Sequence, residues 1–296
     1  MKLIYLAGAT SFLGQRILHK LIENDKKVRC LARSMEARQR LEEIKQKYPE
    51  NIEIASGNLL SSDSLIYSLK GADKAIYVVR LEYHEYVKNF IEAARRCNVK
   101  RVVFISSTTV LIPSEVKIKN EKIKSEEYIR NSGLDYTILR PSMIYGADGD
   151  NNFSKMLRFI KRKRFFVVFG SGENMIQPVY VEDVAKSVAD VLENNLTVRK
   201  TYELAGRYPL KYNEMLRIVR EKSGLSFRII RLPVEASKFA VSVYKQIMKK
   251  SDLDADQIDR MKIDKVYPYT EAVNDFGYSP FSFEEGIEKE ISELGF

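Results

Sequence analysis

The sequence predicts an α/β fold in which a doubly wound parallel sheet is followed by a smaller C-terminal α/β lobe. Three observations carry this. Apolar strand patterns alternate with helical periodicities from the N-terminus to about Leu139, which is the pattern of βαβ units. The chain opens on an apolar run, Leu3 to Ala7, that passes through a glycine turn into the helical pattern Leu13, Ile17, Leu18, Leu21, Ile22. Past Tyr145 the alternation gives way at Gly146-Ala-Asp-Gly-Asp-Asn-Asn152, a composition that favours loop and marks a change of lobe. The expected division is therefore residues 1–150 and residues 151–296, with strands open to exchange between the two.

Strands are expected at Lys27 to Ala32, Ile52 to Ala55, Asp73 to Val79, Lys100 to Ser106 and Asp135 to Leu139. Helices fall between them at Met35 to Lys47, Ser62 to Leu69, Tyr83 to Cys97 and Lys119 to Asn131, where Gly133 stops the last. Parallel strands present their ligands at their carboxyl ends, so Gly8, Arg33, Asn58, Val79, Ser107 and Pro141 should share one rim. In the second lobe the periodicities predict helices at Phe153 to Arg162, Glu182 to Leu192 and Tyr212 to Ser223. Strands are expected there at Phe165 to Phe169, Ile176 to Val181, Tyr202 to Ala205 and Phe227 to Arg231.

Composition bounds the function. The chain has 296 residues, 45% of them hydrophobic, and no apolar run near twenty residues, which points to a globular domain rather than a membrane span. Met1 to Leu6 already reads as a core strand, so no signal peptide is expected. Cys30 and Cys97 suit a reducing compartment better than a disulfide framework, which makes the cytoplasm the expected location. The net charge is +9, with basic runs at Lys155 to Arg164 and Lys245 to Lys250. No nucleic-acid motif accompanies them, so no nucleic-acid partner is expected and the charge reads as solvated surface. Val234 to Lys250 could form a basic amphipathic helix. Burial of its apolar face in its own lobe is preferred over a membrane surface. Neither metal-ligand spacing nor a Ser/His/Asp arrangement appears, and the oligomeric state is not legible.

The chemistry concentrates at the first turn. Strand, tight turn and helix aim free backbone N–H groups and the positive end of the helix dipole above the sheet, as in a Rossmann-type fold that binds a pyrophosphate. Gly8 lets the chain leave the strand and Gly14 lets the helix approach it closely. Ser11 stands where the middle glycine of such a turn usually lies, and its hydroxyl can cap the helix instead. Arg33 ends the second strand, where an acidic residue would favour NAD; an arginine there, with Arg38 one turn on, can pair with a 2′-phosphate. NADP is the expected cofactor, with NAD as the other candidate.

Several dispersed motifs carry a family resemblance. Gly8-Ala-Thr10-Ser-Phe-Leu-Gly14, Gly57-Asn58-Leu-Leu-Ser-Ser-Asp-Ser-Leu65, Ser132-Gly-Leu-Asp-Tyr-Thr-Ile-Leu-Arg-Pro-Ser-Met-Ile-Tyr-Gly146 and Gln177-Pro-Val-Tyr-Val-Glu-Asp-Val-Ala185 occur in order. Thr201 to Gly206, Leu210 to Met215 and Phe276 to Gly286 extend the likeness to the C-terminus. The chain resembles the extended and atypical branch of the short-chain dehydrogenase/reductase superfamily, the group of nucleoside-diphosphate-sugar epimerases, NmrA-like regulators and the complex I accessory subunit. The resemblance implies cofactor phosphates over Gly8 to Gly14, with Thr10, Ser11, Phe12 and Leu13 around them. It implies Asn58 and Leu59 beside the adenine, Val79 along the cofactor, and Pro141, Ser142 and Ile144 near the nicotinamide.

Catalysis in that family uses a tyrosine four residues before a lysine on one helix, with a serine or threonine at the preceding strand end. The lysine lowers the phenol's pKa and holds the ribose. Here Lys122 takes the lysine position and Ser107 or Thr108 the hydroxyl position, but Ile118 stands where the tyrosine should be. Tyr83, Tyr145 and Tyr180 are conceivable replacements, although each reads better as packing. The expected function is an NAD(P)-dependent oxidoreductase or epimerase-like enzyme acting on a small organic or nucleotide-linked substrate. The alternative is a non-catalytic dinucleotide-binding regulator or accessory subunit.

Overall fold

The computed structural model describes residues 2–113, 117–146, 149–150, 152–233 and 263–296. The expected amphipathic stretch Val234 to Lys250 lies outside the described residues. The chain forms two compact units. One comprises Met1–Ser142, Val181–Leu204 and Pro268–Ser279, and the other Met143–Tyr180, Ala205–Tyr267 and Pro280–Phe296. The division expected after residue 150 thus falls at Ser142, and two later segments return to the first unit.

In the first unit, β1 (Leu3–Ala7), β2 (Lys27–Ala32), β3 (Ile52–Ser56), β4 (Lys74–Tyr77), β5 (Arg101–Ile105) and β6 (Asp135–Pro141) build a parallel sheet with the strand Lys200–Leu204. The order is Lys200–Leu204, β6, β5, β4, β1, β2, β3. Leu6 of β1 pairs with Cys30 on one side and with Ile76 on the other. The strand order reverses between β1 and β4, and such a switch point leaves a crevice at the carboxyl ends of the strands. The strand Lys200–Leu204, expected in the second lobe, pairs in parallel with β6 from Lys200 opposite Thr137 to Leu204 opposite Pro141.

Helices α1 (Phe12–Glu23), α2 (Met35–Lys47), α3 (Ser62–Leu69), α4 (His84–Arg96) and α5 (Lys117–Arg130) connect these strands. Helix α4 shows why they form: Val87, Phe90, Ile91 and Ala94 are buried at helical spacing. Phe90 meets the rings of Tyr77 and Phe104 with centroids 4.8 and 6.1 Å away. Both strand faces are covered, so β1 and β5 are buried at every residue.

The second unit packs helices Phe153–Lys163, Tyr212–Ser223 and Phe283–Glu293 with three small strand pairs. Phe165–Phe169 runs parallel to Arg228–Leu232. The single strand expected over Ile176 to Val181 is two: Met175–Ile176 pairs antiparallel with Leu210–Lys211, and Val179–Tyr180 pairs parallel with Ile144–Tyr145. Pro178, which has no N–H for a ladder, divides them. Phe153, Met156, Leu157 and Ile160 bury one side of the basic helix while Lys161 and Lys163 face solvent. That basic run is accordingly a solvated face.

Candidate active site

The first turn has the expected local chemistry. Ser11 Oγ donates to the Gly8 carbonyl at 2.8 Å and accepts from the Gly14 N–H at 3.1 Å, so it caps α1 and ties both glycines together. Gly8 has φ +96°, and a Cβ there would lie 3.2 Å from the Val78 carbonyl carbon; a Cβ on Gly14 would run into the Gly8 oxygen. Both positions therefore need glycine. Leu13 is buried beneath the turn.

Above the turn lies a cleft of about 550 Å³, lined by Gly8, Thr10, Ser11, Arg33, Val79 and the first turns of α2. Arg33 and Arg40 both line it, and neither makes an ion pair among the described residues. Arg38, paired with Arg33 in the sequence reading, instead donates to Ser56 Oγ at 3.2 Å and pairs with Glu42 at 3.5 Å. Arg40 was missed because only the seating of α2 on the sheet decides which of its arginines faces the cleft. Arg80 adds a third guanidinium, stacked 5.6 Å from the Tyr83 ring centroid, and Glu36 is the acidic residue in the lining. The balance favours an anion.

At the end of β5, Lys122 Nζ donates to Ser107 Oγ at 2.9 Å and stands 3.8 Å from Glu82 Oε2. Burial pushes the Lys122 ammonium below its usual range, and the Glu82 carboxylate pulls the other way. Glu82 Oε1 accepts from Arg80 Nε at 2.6 Å, while its Oε2 is buried and accepts no hydrogen bond among the described residues. Thr108 is buried in a short 3₁₀ turn, Thr108–Leu111. Ile118 is exposed on α5 one turn before Lys122.

One helical turn beyond Lys122, the fully buried Glu126 ties α5 to the sheet. It accepts from Ser106 Oγ at 2.7 Å, from Arg130 at 2.8 Å, and from Arg140 Nε at 3.0 Å. Burial alone would raise its pKa, but the Arg140 hydrogen bonds and charge outweigh it and hold the carboxyl below the usual range. Arg140 also binds Glu203 at 3.0 Å. This network, which sequence reasoning missed, spans α5, β6 and the strand Lys200–Leu204. It fixes the helix that carries Lys122.

A family described as NAD(P)H-binding matches residues 8–195, and the substrate-binding domain of RmlD matches residues 113–278. The chain belongs to the NAD(P)H-binding short-chain dehydrogenase/reductases, in their extended and atypical branch. Among relatives, the photosystem II assembly factor Ycf39 of Synechocystis is 25% identical over 80% of this chain and 72% of its own length. A mitochondrial NADH dehydrogenase [ubiquinone] 1 alpha subcomplex subunit 9 of Arabidopsis thaliana is 24% identical; the match covers 78% of this chain but 60% of that protein. A ketoreductase of Stigmatella aurantiaca, named for a farnesylated dihydroquinoline oxide, is 21% identical over 80% of this chain and 78% of its own. The fold is similar to that of UDP-N-acetylglucosamine 4-epimerase from Bacillus cereus, with a TM-score of 0.79 and 15% identity over the whole of both chains.

The residues present fit the dinucleotide such reductases hold: two glycines that no side chain could replace and a capped helix N-terminus form the turn, and Arg33 and Arg40, neither in an ion pair among the described residues, line the cleft with Gly8. The other positions implied by the family resemblance fall variously. Asn58 Oδ1 accepts from the Leu60 N–H at 2.9 Å, and its own backbone N–H donates to Ser64 Oγ at 3.0 Å. Leu59 is buried in the core, and its carbonyl accepts from Asn89 at 2.9 Å. Neither residue lines the arginine cleft. Phe12 is half-buried at the start of α1. Pro141 ends β6, and the Ser142 N–H bonds the Leu204 carbonyl at 2.8 Å. Ile144 belongs to the second unit, where it pairs with Val179.

The candidate replacement tyrosines have other partners. Tyr145 is buried against Phe153, Tyr180 and Phe283, with centroids 5.1 to 5.6 Å apart. Tyr83 precedes α4 and takes the Arg80 stack. His84 Nδ1 lies 3.1 Å from Ser125 Oγ, which itself donates to the Leu81 carbonyl at 2.6 Å. Among the described residues no His, Cys, Asp and Glu group could hold a metal ion, and no helix is long and apolar enough to cross a membrane.

Proposed function

We propose that this protein binds NADP(H) in preference to NAD(H) and reduces the carbonyl group of a small organic molecule, with Ser107 and Lys122 doing the work of the missing tyrosine. The observation that carries the reading is the 2.9 Å hydrogen bond from Lys122 Nζ to Ser107 Oγ. The bound dinucleotide would supply the hydride to the carbonyl carbon. Ser107 Oγ–H would donate to the carbonyl oxygen as negative charge develops there, and Lys122 would return a proton to Ser107. Burial lowers the cost of that transfer because it already disfavours the ammonium. Arg33 and Arg40 would hold the 2′-phosphate, and the amide groups at the start of α1 the pyrophosphate. The two free cysteines suit a cytoplasmic setting, and no nucleic-acid partner is proposed.

A second reading is favoured by Ile118, which cannot transfer a proton: the protein would hold the dinucleotide as an assembly or accessory factor. The names of two relatives, an assembly factor and a subunit of a larger NADH dehydrogenase, support it. NADPH binding followed by fluorescence, alongside NADPH oxidation with a panel of ketones and aldehydes, separates the two. On the reductase reading the wild type turns over, and Lys122→Met lowers kcat by about 100-fold. Tight NADPH binding without wild-type turnover, with activity emerging in Ile118→Tyr, would establish the second reading.

A further inference from the structure

The second unit contains a cavity of about 350 Å³, at the lower end of the range that small-molecule sites occupy. Its walls are Met143, Met156, Phe166, Phe169, Ile176 and Met215, from two strands, two helices and a connecting turn. Lys265 is the one charged residue in this lining among the described residues. Of the polar groups, Asn152 already donates to the Ile144 carbonyl at 3.1 Å, and the Asn174 carbonyl accepts the Tyr212 N–H at 3.1 Å. The Tyr212 phenol makes no hydrogen bond among the described residues. Burial pushes its pKa up to about 12, so it keeps its proton at neutral pH.

This composition discriminates between ligand classes. A nucleotide-linked sugar would bring two phosphate charges among methionine and phenylalanine side chains, with the Lys265 ammonium alone among the described residues to meet them. Burying charge without matched partners is strongly unfavourable. A hydrocarbon body loses no polar contacts there, and thioethers adapt to irregular apolar shapes. We propose that this cavity binds an uncharged, mainly hydrocarbon molecule carrying a carbonyl oxygen that accepts from Tyr212, and that it rejects nucleotide-linked sugars. The binding stands by itself; that the bound molecule is the reduced substrate rests on the reductase reading above.

The test uses the full chain and the uncharged fluorophore N-phenyl-1-naphthylamine, with 2-undecanone and UDP-glucose as competitors. Binding should saturate, 2-undecanone should displace the probe, and UDP-glucose should not. Met156→Trp, which fills the cavity, and Met143→Lys, which brings a charge to its half-buried wall, should each weaken probe binding by about tenfold. NADPH titration and circular dichroism of the same variants report folding separately, since the dinucleotide cleft belongs to the first unit. Displacement by UDP-glucose, or probe binding unmoved in both folded variants, overturns the proposal. If neither variant folds, the wild-type competition decides it. Displacement by 2-undecanone upholds the cavity's ligand whether or not the ketone is reduced, and the reductase reading stands or falls on turnover across the panel of ketones and aldehydes.

Discussion

Arg33 and Arg40 line one cleft, neither in an ion pair among the described residues, and the proposed preference for NADP rests on these two side chains. A 2′-phosphate offers them charge-assisted hydrogen bonds that a ribose hydroxyl cannot match. The double change Arg33→Ala with Arg40→Ala should therefore weaken NADPH binding by about tenfold or more while NADH binding changes little, since such bonds contribute roughly 1.5–3 kcal/mol each. Fluorescence titration of the two dinucleotides checks it, and equal losses for both would refute the assignment. Arg33 was legible because a strand end has one direction, whereas Arg40 was not. Residues 33, 38 and 40 look alike in a string, and only the rotation of α2 against the sheet turns Arg38 towards Ser56 and Arg40 into the cleft. Glu82 was hidden for a related reason. It sits on a connection with no periodicity, and its meaning comes from Lys122, forty residues later.

At the scale of elements, the turn before α1 shows how a departure from the glycine pattern is absorbed. Ser11 gives up the close ligand approach a glycine would allow and in return satisfies the Gly14 N–H. Ser11→Ala should cost about 1 kcal/mol of stability by denaturant unfolding. Ser11→Gly should cost only a few tenths of that, since glycine is a tolerated cap. Equal losses would show that the hydroxyl contributes little. Helix α5 carries the other decisive element. Its polar sequence was readable as a helix, and Lys122 as its candidate residue, but the anchoring of that helix through Glu126 to Arg140 was not. That contact joins α5 to the strand that follows it and depends on how the helix packs back against β6, which lies beside β5.

At the scale of the whole molecule, each unit is assembled from three separate stretches of chain. The second unit includes a buried carboxyl, Glu290, on its last helix. Ser154 Oγ donates to it at 2.8 Å, while its other oxygen is buried without a hydrogen bond among the described residues. Burial pushes its pKa up to about 8; the Ser154 bond opposes this, nearby Asp150 and Glu293 reinforce it, and Arg158 opposes it. The folded protein thus keeps a proton that the unfolded chain releases near the ordinary glutamate value, so stability falls as pH rises from about 5 to about 8. Glu290→Gln should flatten that slope and raise stability at pH 8 by at least about 1 kcal/mol. Thermal melts across that range read it directly, and parallel wild-type and variant profiles would count against it.

The sequence by itself determined the alternating strands and helices, the glycine cradle with its serine cap, Arg33, and the Ser107 and Lys122 positions. Each depends on local spacing or on motifs that survive in a string. Tertiary structure alone decided that Lys200–Leu204 completes the first sheet, that Arg40 joins Arg33, that Glu82 stands by Lys122, and that the second unit encloses an apolar cavity. Those features arise where residues distant along the chain meet, and their pairing depends on packing geometry that no one-dimensional period encodes.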